Sequence, residues 1–136
     1  MTGPENAIEF AHGYTYSGHP LAAAVAHTVL DIMEEESLIA RTRSLEPVLE
    51  EAVHSLRDLP IVHDIRNIGL TAGVDLKPRE GAPGARCLEL FEKGLKNGLL
   101  LRCTGETISF GPPFISTPEQ LRDMVATVRK LITELD

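Results

Sequence analysis

The chain has 136 residues, 43% of them hydrophobic, enough for one domain with a real core. Its formal charge of −7 argues against nucleic acid and anionic lipid as partners, and only 4% aromatics leave the core to aliphatic side chains. No apolar run reaches the ~20 residues of a membrane span and no basic-then-apolar leader opens the chain, so a soluble cytoplasmic protein is expected.

Glu9 to Pro20 reads EFAHGYTYSGHP, which has no clean period and is expected to be a loop. A loop this rich in Gly, His and Tyr is a functional candidate. It lies near the N-terminus, and a free end holds a precise site poorly, so further chain upstream is expected. From Pro20 a helix is predicted, with Leu21, Val25, Val29 and Ile32 on one face and Glu34 to Glu36 at its solvated end. A second helix follows on Leu38, Leu45, Leu49, Ala52 and Leu56, and Pro47 inside it predicts a kink or a restart.

Pro60 ends the helical region, and Ile61 to Ile68 reads as a strand. Leu70, Ala72, Val74 and Leu76 alternate with polar or small residues, the pattern of a half-buried strand. Gly69 permits a bend or bulge between the two. Lys77 to Gly84 is a turn-rich loop. Leu88, Phe91 and Leu95 mark a third helix that Asn97-Gly98 ends. Leu99 to Cys103 and Thr107 to Phe110 are short strands joined by a turn at Thr104 to Glu106. Thr117, Pro118 and Gln120 form a helix-start signal, and Leu121, Met124, Val125, Val128, Leu131 and Leu135 line the helix after it. The order predicts an α+β two-layer domain with helices on one face of a mainly antiparallel sheet.

Cys87 and Cys103 make neither a C-x-x-C pair nor a zinc site, and read as reduced thiols with at least one packed as a small apolar group. His12 and His19 lack the further ligands a metal needs, so no metal is expected, and Ser17 with His19 lacks an orienting acid. Lys77, Lys93, Lys96 and Lys130 all fall in polar loop or helix-face positions. On residue chemistry alone, Thr15 satisfies a turn, Tyr14 packs as an ordinary aromatic, and Arg102 is either a carboxylate-gripping cation or a surface partner of Glu106.

The string His12-Gly13-Tyr14-Thr15-Tyr16-Ser17-Gly18-His19-Pro20 before an Ala-rich helix resembles a signature of class III aminotransferases of the ω-amino-acid:pyruvate kind. Asp64 to Leu70 with Ala72-Gly73 is similar to the first strands of that family's C-terminal small domain. Gly98 to Ile108 with Gly111 to Ile115 is similar to the stretch bearing its substrate arginine. The likeness runs over essentially the whole chain. Glu106, Gly111 and Phe114 depart from the family's usual Asp, Ser and Leu, and Arg102 keeps its place.

The resemblance implies the small domain of a fold-type I enzyme dependent on pyridoxal 5'-phosphate. Residues 1–19 would lead in from the catalytic large domain and residues 20–136 would form the small domain. It implies cofactor-binding roles for Thr15, which would hold the phosphate of the neighbouring subunit of a homodimer, and for Tyr14, which would line that subunit's site. It implies that Arg102 binds the substrate carboxylate. The Schiff-base lysine is expected in the large domain, so no catalytic residue lies in this chain, which is expected to be inactive alone. The activity implied is amino transfer from an ω-amino acid or amine to pyruvate. The alternative is a stand-alone, non-enzymatic α+β module that binds a small carboxylate or a protein partner.

Overall fold

The computed structural model describes residues 13–135, and these fall into two compact units divided after Glu36. The first carries the loop of residues 13–19 and helix α1 (Pro20–Glu35). Pro20 opens α1 at its first helical position, where a missing N–H costs nothing. The expected apolar stripe forms, but none of it is buried: Leu21 is 69% exposed and Ile32 41%. Hydrophobic periodicity specifies the helix here without specifying what covers it.

The second unit runs α2 (Leu38–His54), a 3-10 turn at Ser55–Asp58, β1 (Val62–Ile68), β2 (Thr71–Leu76), α3 (Ala85–Lys96), β3 (Arg102–Thr104), β4 (Thr107–Phe110) and α4 (Pro118–Thr133). The four strands form one fully antiparallel sheet in the order β1-β2-β4-β3. Strand alternation sets its two faces. Ile65, Val74, Ile108 and Cys103 share one cross-strand row, and Ala72 pairs with Phe110 on the same face. That face joins Leu45, Leu49 and Val53 of α2, Cys87 and Leu90 of α3, and Leu121, Val125, Val128, Leu131 and Ile132 of α4 in one core. Burying each such aliphatic side chain is favourable by ~1.5–3 kcal/mol.

Several expectations are refined. Pro47 lies on the exposed side of α2, which continues through it without restarting. The proline removes a donor on the side water can reach. Gly69, at φ 53, forms with Leu70 a two-residue hairpin turn, and the irregularity in the β1–β2 register falls at Val62 to Asp64 instead. Strand β3 is shorter than Leu99 to Cys103: Leu101 is buried, whereas Leu100 is 82% exposed ahead of the ladder.

The buried face of α3 is Cys87, Leu90 and Gly94, while Leu88 and Leu95 are exposed. At Gly94 the chain returns close beside the helix. A Cβ on Gly94 would sit 3.1 Å from the Leu99 carbonyl oxygen and 3.1 Å from Leu101 Cδ1. The start of α4 matches its sequence signal. Thr117 Oγ1 accepts from the Gln120 N–H at 3.2 Å, and the Gln120 side chain accepts from the Thr117 N–H at 2.8 Å.

Candidate functional site

The open face of the sheet carries the chemistry in the second unit. Register places Arg66, Gly73, Ser109 and Arg102 in one row, one residue per strand. The two arginines occupy opposite edges, three strand spacings or about 14 Å apart across the sheet. Between them stand a glycine and a serine.

The two arginines differ in what they touch. Arg66 lies over β2, where a Cβ at position 73 would meet its Cζ at 3.4 Å, an ordinary van der Waals contact. Its guanidinium donates to both oxygens of Asp75, at 2.7 and 3.1 Å, and to Asp64 at 3.4 Å. Asp75 also accepts the Thr107 hydroxyl at 2.6 Å. The Arg66 guanidinium, followed by the Thr107 hydroxyl, holds the Asp75 carboxyl below the usual carboxylate range. Arg66 is thereby neutralised.

Arg102 is exposed, and among the described residues no carboxylate pairs with it. Glu106, the neighbour that a surface ion pair would use, is engaged elsewhere: its Oε1 accepts the Gly84 N–H that opens α3. Gly105, the other half of the hairpin turn, sits at φ 58. The sheet edge thus presents one guanidinium fork whose donors face solvent. A carboxylate is the ligand that fits such a fork with two parallel hydrogen bonds.

The loop that follows β4 is fixed from a distance. Arg41 of α2 donates to the carbonyl oxygens of Phe114, Ile115 and Ser116, at 3.1, 3.2 and 2.8 Å. This clamp joins residues more than 70 positions apart. Nothing local in the sequence marks Arg41, and the same holds for Ser109 opposite Arg102.

Tyr14 and Thr15 belong to the first unit. Both are exposed in a turn in which the Ser17 hydroxyl donates to the Tyr14 carbonyl at 3.2 Å. Tyr16 takes the left-handed backbone conformation at φ 65, uncommon for an aromatic residue, and Gly18 follows at φ 79. An exposed hydroxyl in a turn of small residues suits an anion such as a phosphate. His12 lies outside the described residues; His19 precedes α1, and among the described residues no cluster of His, Cys, Asp and Glu could hold a metal ion.

The lysines are occupied or peripheral. Lys77 donates to the Pro60 carbonyl at 2.7 Å, and Lys93 to Glu89 and the Glu134 carbonyl at 3.0 and 2.9 Å. Lys96 and Lys130 are exposed on α3 and α4.

The model of the family "Aminotransferase class-III" matches residues 2–132. An omega-aminotransferase of Caulobacter vibrioides is 45% identical over the whole chain, which covers 31% of that protein. A beta-alanine–pyruvate aminotransferase of Pseudomonas aeruginosa is 42% identical over 87% of the chain and 26% of its own length. The solved omega transaminase of Pseudomonas jessenii in complex with PMP superposes with a TM-score of 0.83 at 31% identity, over 90% of this chain and 28% of that one. The chain therefore spans less than a third of the length of these relatives. With a family model covering nearly its full length and a sheet of matching fold, the chain belongs to the class III aminotransferases.

Proposed function

We propose that this chain is the C-terminal part of an aminotransferase that moves an amino group from an ω-amino acid or amine to pyruvate, with residues 1–19 as an active-site loop and residues 20–136 as the small domain. The observation that carries the reading is Arg102, a guanidinium fork on the open face of the sheet with no carboxylate partner among the described residues. It would grip the carboxylate of the keto acid and hold its carbonyl end toward the reacting centre. The names of the relatives, omega-aminotransferase and beta-alanine–pyruvate aminotransferase, support this choice of substrates.

Class III aminotransferases depend on pyridoxal phosphate. When bound, that cofactor supplies the carbon on which the amino group is carried between the two half-reactions. Thr15, with its exposed hydroxyl, would hold the cofactor phosphate of the neighbouring subunit, and Tyr14 beside it would line that subunit's site. The parent would then be a homodimer, working in the cytoplasm. None of the four lysines stands in a context that suits the cofactor-bearing role, so the chain alone would be inactive.

The test is amino transfer from β-alanine to pyruvate, measured for the native polypeptide that carries this sequence and for residues 1–136 alone. Alanine formation by the native polypeptide and none by the isolated chain is expected. A native polypeptide no longer than this sequence that binds carboxylates without transferring amino groups would instead identify a stand-alone binding module.

A further inference from the structure

The two cysteines, 16 positions apart in sequence, meet in the fold. Cys87 is the third residue of α3 and is buried; Cys103 is the central residue of β3 and is half-buried. Cys103 points to the core face of the sheet, where α3 covers it. Its thiol donates to the Cys87 backbone carbonyl at 3.0 Å. Both side chains also border one cavity of about 470 Å³, together with Leu88, Phe91 and Arg102. A small reagent can therefore reach Cys103 through this cavity, while Cys87 lies buried behind it at 1% exposure.

We propose that Cys87 and Cys103 form a reversible intramolecular disulfide, closed by exchange with a small-molecule disulfide such as oxidised glutathione, which ties β3 to α3 beside Arg102. This inference stands apart from the aminotransferase reading, because it needs only the two thiols and their cavity.

The thiols are unequal. Cys103 is half-buried where it borders the cavity, whereas Cys87 is buried beneath it at 1% exposure. Cys103 is accordingly the attacking group and Cys87 the resolving one. The Cys103 thiolate attacks one sulfur of the small disulfide and expels a thiolate, leaving a mixed disulfide on Cys103. The Cys87 sulfur then attacks Cys103 Sγ, its proton passes to solvent or to the departing thiolate, and a second small thiol leaves. The protein loses two electrons and two protons, and one small disulfide becomes two thiols.

The experiment is to incubate the native chain with oxidised glutathione, then measure intact mass and free thiols. The expected product is lighter by about 2 Da, has lost both titratable thiols, and recovers them with dithiothreitol. Digestion without reduction should yield a peptide linking Cys87 to Cys103. Cys87→Ser should stop at a stable glutathione adduct on Cys103, whereas Cys103→Ser should leave Cys87 unmodified. A persistent glutathione adduct on the native chain, disulfide-linked dimers, or two unreacted thiols would each overturn the proposal. If Cys87→Ser does not fold, the mass and thiol count of the unsubstituted chain decide alone.

Discussion

Substituting Gly94 by alanine sets two known effects against each other. Glycine inside a helix is less favourable than alanine by ~1 kcal/mol, so propensity alone favours the substitution. The new Cβ, however, would stand 3.1 Å from the Leu99 carbonyl oxygen, 3.1 Å from Leu101 Cδ1 and 3.3 Å from Leu101 Cγ. Leu99 cannot simply withdraw, because its N–H donates to the Gly94 carbonyl at 2.9 Å. Leu101 is itself buried. Overpacking a rigid site costs ~1–3 kcal/mol. The backbone contact places this site in the middle of that range, so a net loss of about 1 kcal/mol is expected once propensity is subtracted. Urea unfolding followed by circular dichroism measures it. Gly94→Ala in a Leu101→Ala background should lose less, since two of the three close contacts are then gone. A Gly94→Ala chain as stable as the parent, or more so, would refute the argument that close approach selects glycine here.

Thr117→Ala removes one half of the reciprocal cap on α4 and should cost about 1 kcal/mol in the same unfolding assay. The acid limb of stability should respond to Asp75. Its folded-state pKa is lowered, so its contribution is present above the unfolded carboxylate value of about 4 and disappears as pH falls through the lower folded value. Asp75→Asn should therefore flatten the dependence of thermal midpoint on pH below about 4, and an unchanged slope would remove Asp75 from the account.

The elements legible in the sequence were those with a local signal. Thr117, Pro118 and Gln120 mark a helix start whose bonds need no distant partner. The alternation from Leu70 to Leu76 encodes a strand because its period is a backbone property. Where packing decides, residue type misleads. Leu88 and Leu95 mark the helix by their spacing, yet both are exposed; the inner face is Cys87, Leu90 and Gly94, and at position 94 the Leu99 to Leu101 segment runs too close for a side chain. Pro47 reads as an interruption only while its side of the helix is unknown.

The candidate site divides in the same way. Arg102 was found through the sequence around it, and its freedom from Glu106 depends on the Gly84 N–H, 22 residues away in sequence. The Arg41 clamp and the Arg66, Gly73, Ser109 and Arg102 row arise from strand order and long-range contact, which no local pattern encodes.

The central claim is that Arg102 binds the substrate carboxylate, and steady-state and half-reaction kinetics of Arg102→Ala in the complete native polypeptide test it most directly. Losing a two-bond charged contact of ~3 kcal/mol should lower kcat/KM for pyruvate about 100-fold. The half-reaction with a simple amine, which has no carboxylate to bind, should be nearly unchanged. Equal losses in both half-reactions, or an undiminished kcat/KM for pyruvate, would contradict the assignment.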